Sequence, residues 1–173
     1  MAISLYDTSV TAYLQTLSAA SRFMDKGLTH CRERGIDPQE IVETRFYADM
    51  QPFRFQIQSM VHHAVGTVEA FTSGVFRPSA GSQVTDYTAL QSQLTAAQEM
   101  LQKLTPEEIN AREGAELIFQ TGDLKLKFKA EDFVLSFSLP NFHFHATTAY
   151  DILRSKGVPL GKRDYLGRLR FQR

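Results

Sequence analysis

The sequence predicts a mainly α protein, a four-helix bundle with a small β-hairpin inserted before the last helix. Three observations lead there. Four stretches carry apolar residues that fall in one arc when successive residues are placed about 100° apart. Those stretches are bounded by helix start and stop residues. One stretch near residue 120 instead alternates apolar and charged positions, the period of a half-buried strand. With 173 residues, 43% hydrophobic and 22% charged, the chain suits one domain, 1–173, with a short basic tail at about 158–173.

The first helix is read over residues 4–34. Tyr6, Val10, Tyr13, Leu17, Met24, Leu28 and Cys31 share its inner face, and Gly35 stops it after Lys26, Arg32 and Arg34, which suit the negative end of the helix. Tyr6 and Tyr13 read as core aromatics with a hydrogen bond at the rim. Asp37-Pro38 opens a short helix to about Thr44, and Asp49 is an N-cap candidate before Pro52. The second long helix, residues 52–73, buries Phe53, Ile57, Met60, Val61, Ala64, Val68 and Phe71, and Gly74 closes it. On that helix His62 lies nearly opposite the apolar stripe and reads as solvent-exposed, while His63 lies on a flank with Gln56 and Thr67. Residues 75–83 read as a loop rich in Pro, Gly and Ser. The third long helix, residues 86–103, presents Leu90, Leu94, Ala97 and Leu101, with Leu104 just beyond, and Thr105-Pro106-Glu107-Glu108 is a capping-box pattern for a further short helix.

Residues 116–121 and 124–129 then read as two strands about a tight Gly122-Asp123 turn. Leu124, Leu126 and Phe128 alternate with Lys125, Lys127 and Lys129. A hairpin alone is marginal, so its apolar face must lie on the bundle or on a partner chain. Residues 133–139 keep period two, yet fit a helical turn equally well. The last helix is expected to start at Pro140 and stop at Gly157, with Phe142, Ala146, Ala149 and Leu153 inward.

Several classes are disfavoured. Lysine plus arginine balances aspartate plus glutamate at 19 each, so no global field recruits nucleic acid or a membrane surface. No apolar window approaches the roughly 20 residues of a membrane span, and no signal peptide is evident, which points to a cytoplasmic protein. The single cysteine, Cys31, reads as a small buried core residue, with a catalytic thiol as the weaker alternative. Dinucleotide, P-loop, HExxH and nucleophile-elbow motifs are absent. The tail is locally basic: Arg154, Lys156, Lys162, Arg163, Arg168, Arg170 and Arg173 face only Asp151 and Asp164. Interleaved Tyr165 and Phe171 could suit nucleic acid, but a solvated tail folded across the bundle is the simpler reading.

The chemistry concentrates in residues 139–167. His143 and His145 look like a metal pair, but two residues on a helix are about 200° apart, so a helical segment denies them one ion. Asn141 and His145, at i and i+4, can reach one point.

The stretches LYDTSV at 5–10, Asp49-Met50-x-Pro52 followed by Gln56 and Gln58, and PNFHFHATTAYDILRSKGVPLGKRDYLG at 140–167 resemble a family known as domain of unknown function 1993, within the DinB/YfiT-like superfamily. The resemblance covers essentially the whole chain. It implies an up-and-down four-helix fold, a homodimer, and a cytosolic setting. It also brings the superfamily's divalent metal site, zinc or nickel held by one histidine on the second helix and an HxxxH pair on the last, used by some members as thiol-dependent transferases or isomerases. Placed on this chain, the pair falls on Asn141 and His145, and the second-helix ligand near Gln56 or Gln58. Histidine therefore stands at one of the three positions, and amide oxygens are poor partners for zinc or nickel.

Two function classes follow. In one, Gln56, Asn141 and His145, with His63 and Tyr13 nearby, line an inter-helix pocket for an unknown small molecule, with His145 as base or ligand. In the other, the protein is a non-enzymatic dimeric scaffold whose buried polar residues fix helix register. A metal-dependent thiol transferase is a further alternative.

Overall fold

Ser4 starts the first helix. Its amide and hydroxyl donate to the Asp7 carboxylate at 3.3 and 2.9 Å, and its oxygen accepts from the Asp7 amide at 3.1 Å. The turn that follows, Asp7–Thr11, is π-helical, and it leads without a break into α1, Ala12–Arg34. A computed structural model describes residues 3–79, 81 and 85–171. The wide turn shifts the N-terminal face relative to a regular helix. Leu5 is therefore buried and Tyr6 only half-buried, where periodicity favours Tyr6. Gly35 ends α1 in the left-handed conformation, φ 67°, with its amide donating to the Cys31 carbonyl.

The next elements are α2, Pro38–Val42, capped by Asp37 accepting from the Gln39 amide, and α3, Phe53–Ser73, closed by Gly74 at φ 74°. Pro52, not Asp49, is the residue at the α3 N-cap, and no side chain caps that end. Residues 75–83 are not all loop. Val75–Phe76 form a strand, β1, whose partner lies far along the chain. Ala80, Ser82 and Gln83 of that stretch, and Arg173 of the tail, lie outside the described residues. Asp86 caps α4, Tyr87–Leu101, by accepting from the Ala89 amide. Thr105 and Glu108 close the reciprocal capping box of α5, Pro106–Asn110.

The hairpin consists of β2, Glu116–Thr121, and β3, Leu124–Lys129, with Gly122 at φ 53° supplying the positive φ that a two-residue turn needs at its first position. β1 adds in parallel on the far side of β2, giving a three-stranded sheet in the order β1-β2-β3. The inner face of the hairpin buries Leu117 and half-buries Phe119 and Phe128 in a cluster with Phe76, Phe133 and Phe137. Its tip does not reach the helices: Leu124 and Leu126 stay 51% and 43% exposed.

Residues 130–155 are helical throughout: α6, Ala130–Phe133, a π-helical turn Val134–Ser138, then α7, Leu139–Ser155. The last helix thus begins well before Pro140. Proline has no N–H to give to the preceding turn, and a π turn is one place where a helix absorbs that loss. The inner stripe of α7 is as periodicity predicts, with Phe142, Ala146, Ala149 and Leu153 all buried. Beyond Gly157, at φ 88°, the tail forms α8, Lys162–Leu166, which folds back on α1. Lys26 pairs with Asp164 at 2.7 Å and the Gln15 amide donates to the Leu166 carbonyl at 2.9 Å.

α3 packs against both α7 and α4, and α1 packs against α4. Cys31 is wholly inside, and burial, then the nearby Glu40 and Asp37 charges, push its thiol pKa up. A thiol held protonated is a poor nucleophile, which favours the core reading. Among the described residues no helix is long and apolar enough to cross a membrane.

Candidate functional site

The seam between α3 and α7 brings Gln56, His63 and His145 together. Gln56 sits in the first turn of α3, 3% exposed, and its amide nitrogen donates to the Gln51 carbonyl at 2.9 Å. That leaves Gln56 Oε1 as an acceptor, and His145 Nδ1 lies 2.8 Å from it. An amide oxygen cannot donate, so His145 carries its proton on Nδ1 and keeps a lone pair on Nε2. The His145 ring meets the edges of Phe55 and Phe144 at centroid distances of 5.7 and 5.4 Å. Desolvation lowers its pKa from 6.5 to about 4. The ring is neutral at physiological pH.

His63 lies two turns along α3 from Gln56, its ring nearly parallel to that of His145 at 6.1 Å. Periodicity puts it on a flank, yet it is only 8% exposed. Phe76 of β1 stacks on it at 5.5 Å and Phe137 of the π turn tilts against it at 5.9 Å. Burial, then the neighbouring His145 and His62, lower its pKa to about 3.

Beneath His63 lies a hub that sequence patterns do not reveal. Ser138, fully buried at the end of the π turn, donates its one proton to the His63 carbonyl at 3.2 Å. Its two lone pairs accept from Tyr13 at 2.8 Å and Thr67 at 2.6 Å. The hydroxyl's donor and acceptors are thereby all used. Tyr13 makes its bond inside the core rather than at a rim, and burial raises its pKa to about 12, an effect that the Ser138 and Thr67 hydroxyls partly offset.

Asn141 and His145 do not share a partner. The Asn141 amide donates back to the Phe137 carbonyl at 2.7 Å. His143 points away from His145: its Nδ1 lies 3.3 Å from the Tyr165 hydroxyl of α8, so the two histidines serve opposite sides of α7. His62 is half-buried rather than fully exposed. Its Nε2 donates to the Arg77 carbonyl at 2.8 Å and its ring lies 4.9 Å from Phe76. A cleft of about 480 Å³ opens beside it, lined by Gly66, Glu69, Ser73 and residues 75–79.

The superfamily's metal site does not fit these residues. Gln56 Oε1 is committed to the His145 N–H, and the Asn141 amide is turned to a backbone carbonyl. Among the described residues no group of three or more His, Cys, Asp or Glu side chains could hold a metal ion.

A family model described as "Domain of unknown function (DUF1993)" matches residues 5–166. The chain belongs to the DUF1993 family. The match spans every element from the π turn before α1 to α8. Among solved structures this DUF1993 chain is similar to a DinB family member protein from Shewanella denitrificans, at 24% identity and a TM-score of 0.82, over 98% of this chain and 95% of that one. That likeness shows a shared DinB fold. No curated protein matches the sequence.

Proposed function

We propose that this DUF1993 protein binds a small uncharged molecule at the α3–α7 seam, without a metal, on an up-and-down four-helix bundle. The observation that supports it is the 2.8 Å bond from His145 Nδ1 to Gln56, which fixes the tautomer and leaves Nε2 as an acceptor or general base. The low pKa, about 4, keeps that lone pair free of a proton at neutral pH. Phe55 and Phe144 flank it, so the favoured ligand carries an N–H or O–H donor beside an apolar or aromatic part. Fragment screening by NMR tests this. Fragments with such a donor should perturb the His145 and His63 resonances, lose that effect in His145→Leu, and bind equally with and without EDTA. Binding that requires added zinc or nickel, or that persists in His145→Leu, would refute it.

The saturated Ser138 hub supports a second reading, a non-enzymatic scaffold in which buried hydroxyls set the register of α1, α3 and α7. On that reading no donor-bearing fragment binds the seam, and sedimentation finds a homodimer.

A further inference from the structure

β3 is an edge strand, and its sequence gives the two sides of the free edge opposite character. Thr121 and Leu124 flank the two-residue turn and form a hydrogen-bonded pair, and such pairs recur at every second residue of an antiparallel ladder. Leu124, Leu126 and Phe128 therefore direct their backbone groups at β2. The N–H and C=O groups of Lys125 and Lys127 point outward, where no strand pairs with them among the described residues. Side chains alternate in the same way. Leu124 and Leu126 stand exposed on one face, continuous with half-buried Phe119 and Phe128. Lys125, Lys127 and Lys129 stand exposed on the other, where Glu116, 3.2 Å from Lys127, supplies one opposing charge.

We propose that the free edge of β3 docks an extended peptide segment of a partner protein in which acidic and apolar residues alternate. Only the lysine positions offer outward backbone groups, so the partner residues that pair with them sit directly opposite lysines. A second copy of this strand would bring lysine against lysine, which is destabilising. An acidic residue there is complementary, and the residues between then extend the Leu124–Leu126 face. A polyanion would satisfy the lysines but would leave the leucines in water. Edge lysines also serve elsewhere as guards against strand addition, and the two roles make opposite predictions.

The test is fluorescence anisotropy on the full chain with two labelled peptides, one alternating glutamate and valine, the other lysine and valine. The glutamate peptide should bind at least about tenfold more tightly, with the preference reversed in Lys125→Glu/Lys127→Glu/Lys129→Glu. Lys127→Pro removes an outward N–H that β2 does not use, so it should abolish binding while far-UV circular dichroism stays unchanged. The proposal is overturned if neither peptide binds, which leaves the lysines as guards. It is equally overturned if both bind alike, if Lys127→Pro still binds, or if Leu126→Ser dissociates a dimer, which makes a second copy the occupant.

Discussion

Lowering the pH from 7 to 5 should destabilise the protein through His63, by an amount that the unfolded chain sets. The folded pKa, about 3, lies below the ordinary 6.5, because burial and then His145 and His62 disfavour the charged ring. As the pH falls, the unfolded chain therefore binds the proton first. The contribution of His63 is complete above pH 6.5 and is lost progressively until the folded ring itself titrates near pH 3. At pH 5 the unfolded imidazole has passed its own pKa by about 1.5 units, and at about 1.36 kcal/mol per unit the loss is about 2 kcal/mol. A folded pKa of 3 or of 4 gives nearly the same figure at pH 5, since both lie below the test pH. Urea unfolding followed by circular dichroism at pH 7 and pH 5 measures it. Wild type should lose about 2 kcal/mol more than His63→Gln over that interval. Equal losses in the two proteins would mean that His63 titrates as it does in water, and the buried stack around it would be wrong.

Other outcomes follow from single contacts. Ser138→Ala leaves the buried Tyr13 and Thr67 hydroxyls without their acceptor, and should cost about 3 kcal/mol in denaturant unfolding. Gln56→Leu removes the acceptor for the His145 N–H, so imidazole nitrogen NMR should show the Nδ1–H tautomer lose its dominance, with stability down by about 1–2 kcal/mol. Gly27→Ala places a methyl against the Tyr87 hydroxyl, which bonds the Met24 carbonyl at 2.9 Å. Overpacking there should cost about 2 kcal/mol and lower the melting temperature.

The helix ends were the most legible part of the sequence. Although Asp49 does not cap α3 and the last helix runs on from before Pro140, Asp37 and Thr105 cap as their side chains predict, and Gly35 and Gly74 close their helices in the left-handed conformation. These are local interactions, and local sequence carries them. The hairpin was legible for the same reason. What stayed hidden depends on contacts between distant segments, or on a change of helical period. β1 exists because residue 75 meets residue 118. Phe76 then covers the flank of α3 on which a wheel leaves His63 at the edge. The pairing of Asn141 with His145 follows from spacing, and spacing holds, but the Phe137 carbonyl one turn earlier takes the amide instead. Ser138 stands between Phe137 and Leu139 like any polar residue in an alternating run, and nothing local marks it as a hub. For the metal question the identities of Gln56 and Asn141 already carried the chemistry, and the structure adds what each amide bonds instead.

The turn Val134–Ser138 has a consequence for which changes the gene can tolerate. A π turn holds one residue more than an α turn. Deleting a single codon there lets i→i+4 bonds replace i→i+5 bonds, and the residues beyond keep nearly the same direction relative to those before, because the turn already absorbs one extra residue. A one-residue deletion in the regular helix between Leu139 and His145 finds no such slack and rotates the residues beyond it by about 100°. His145 would then swing off the α3 seam, although it had not been altered. The length of residues 139–145 should therefore be kept more strictly than that of residues 134–138.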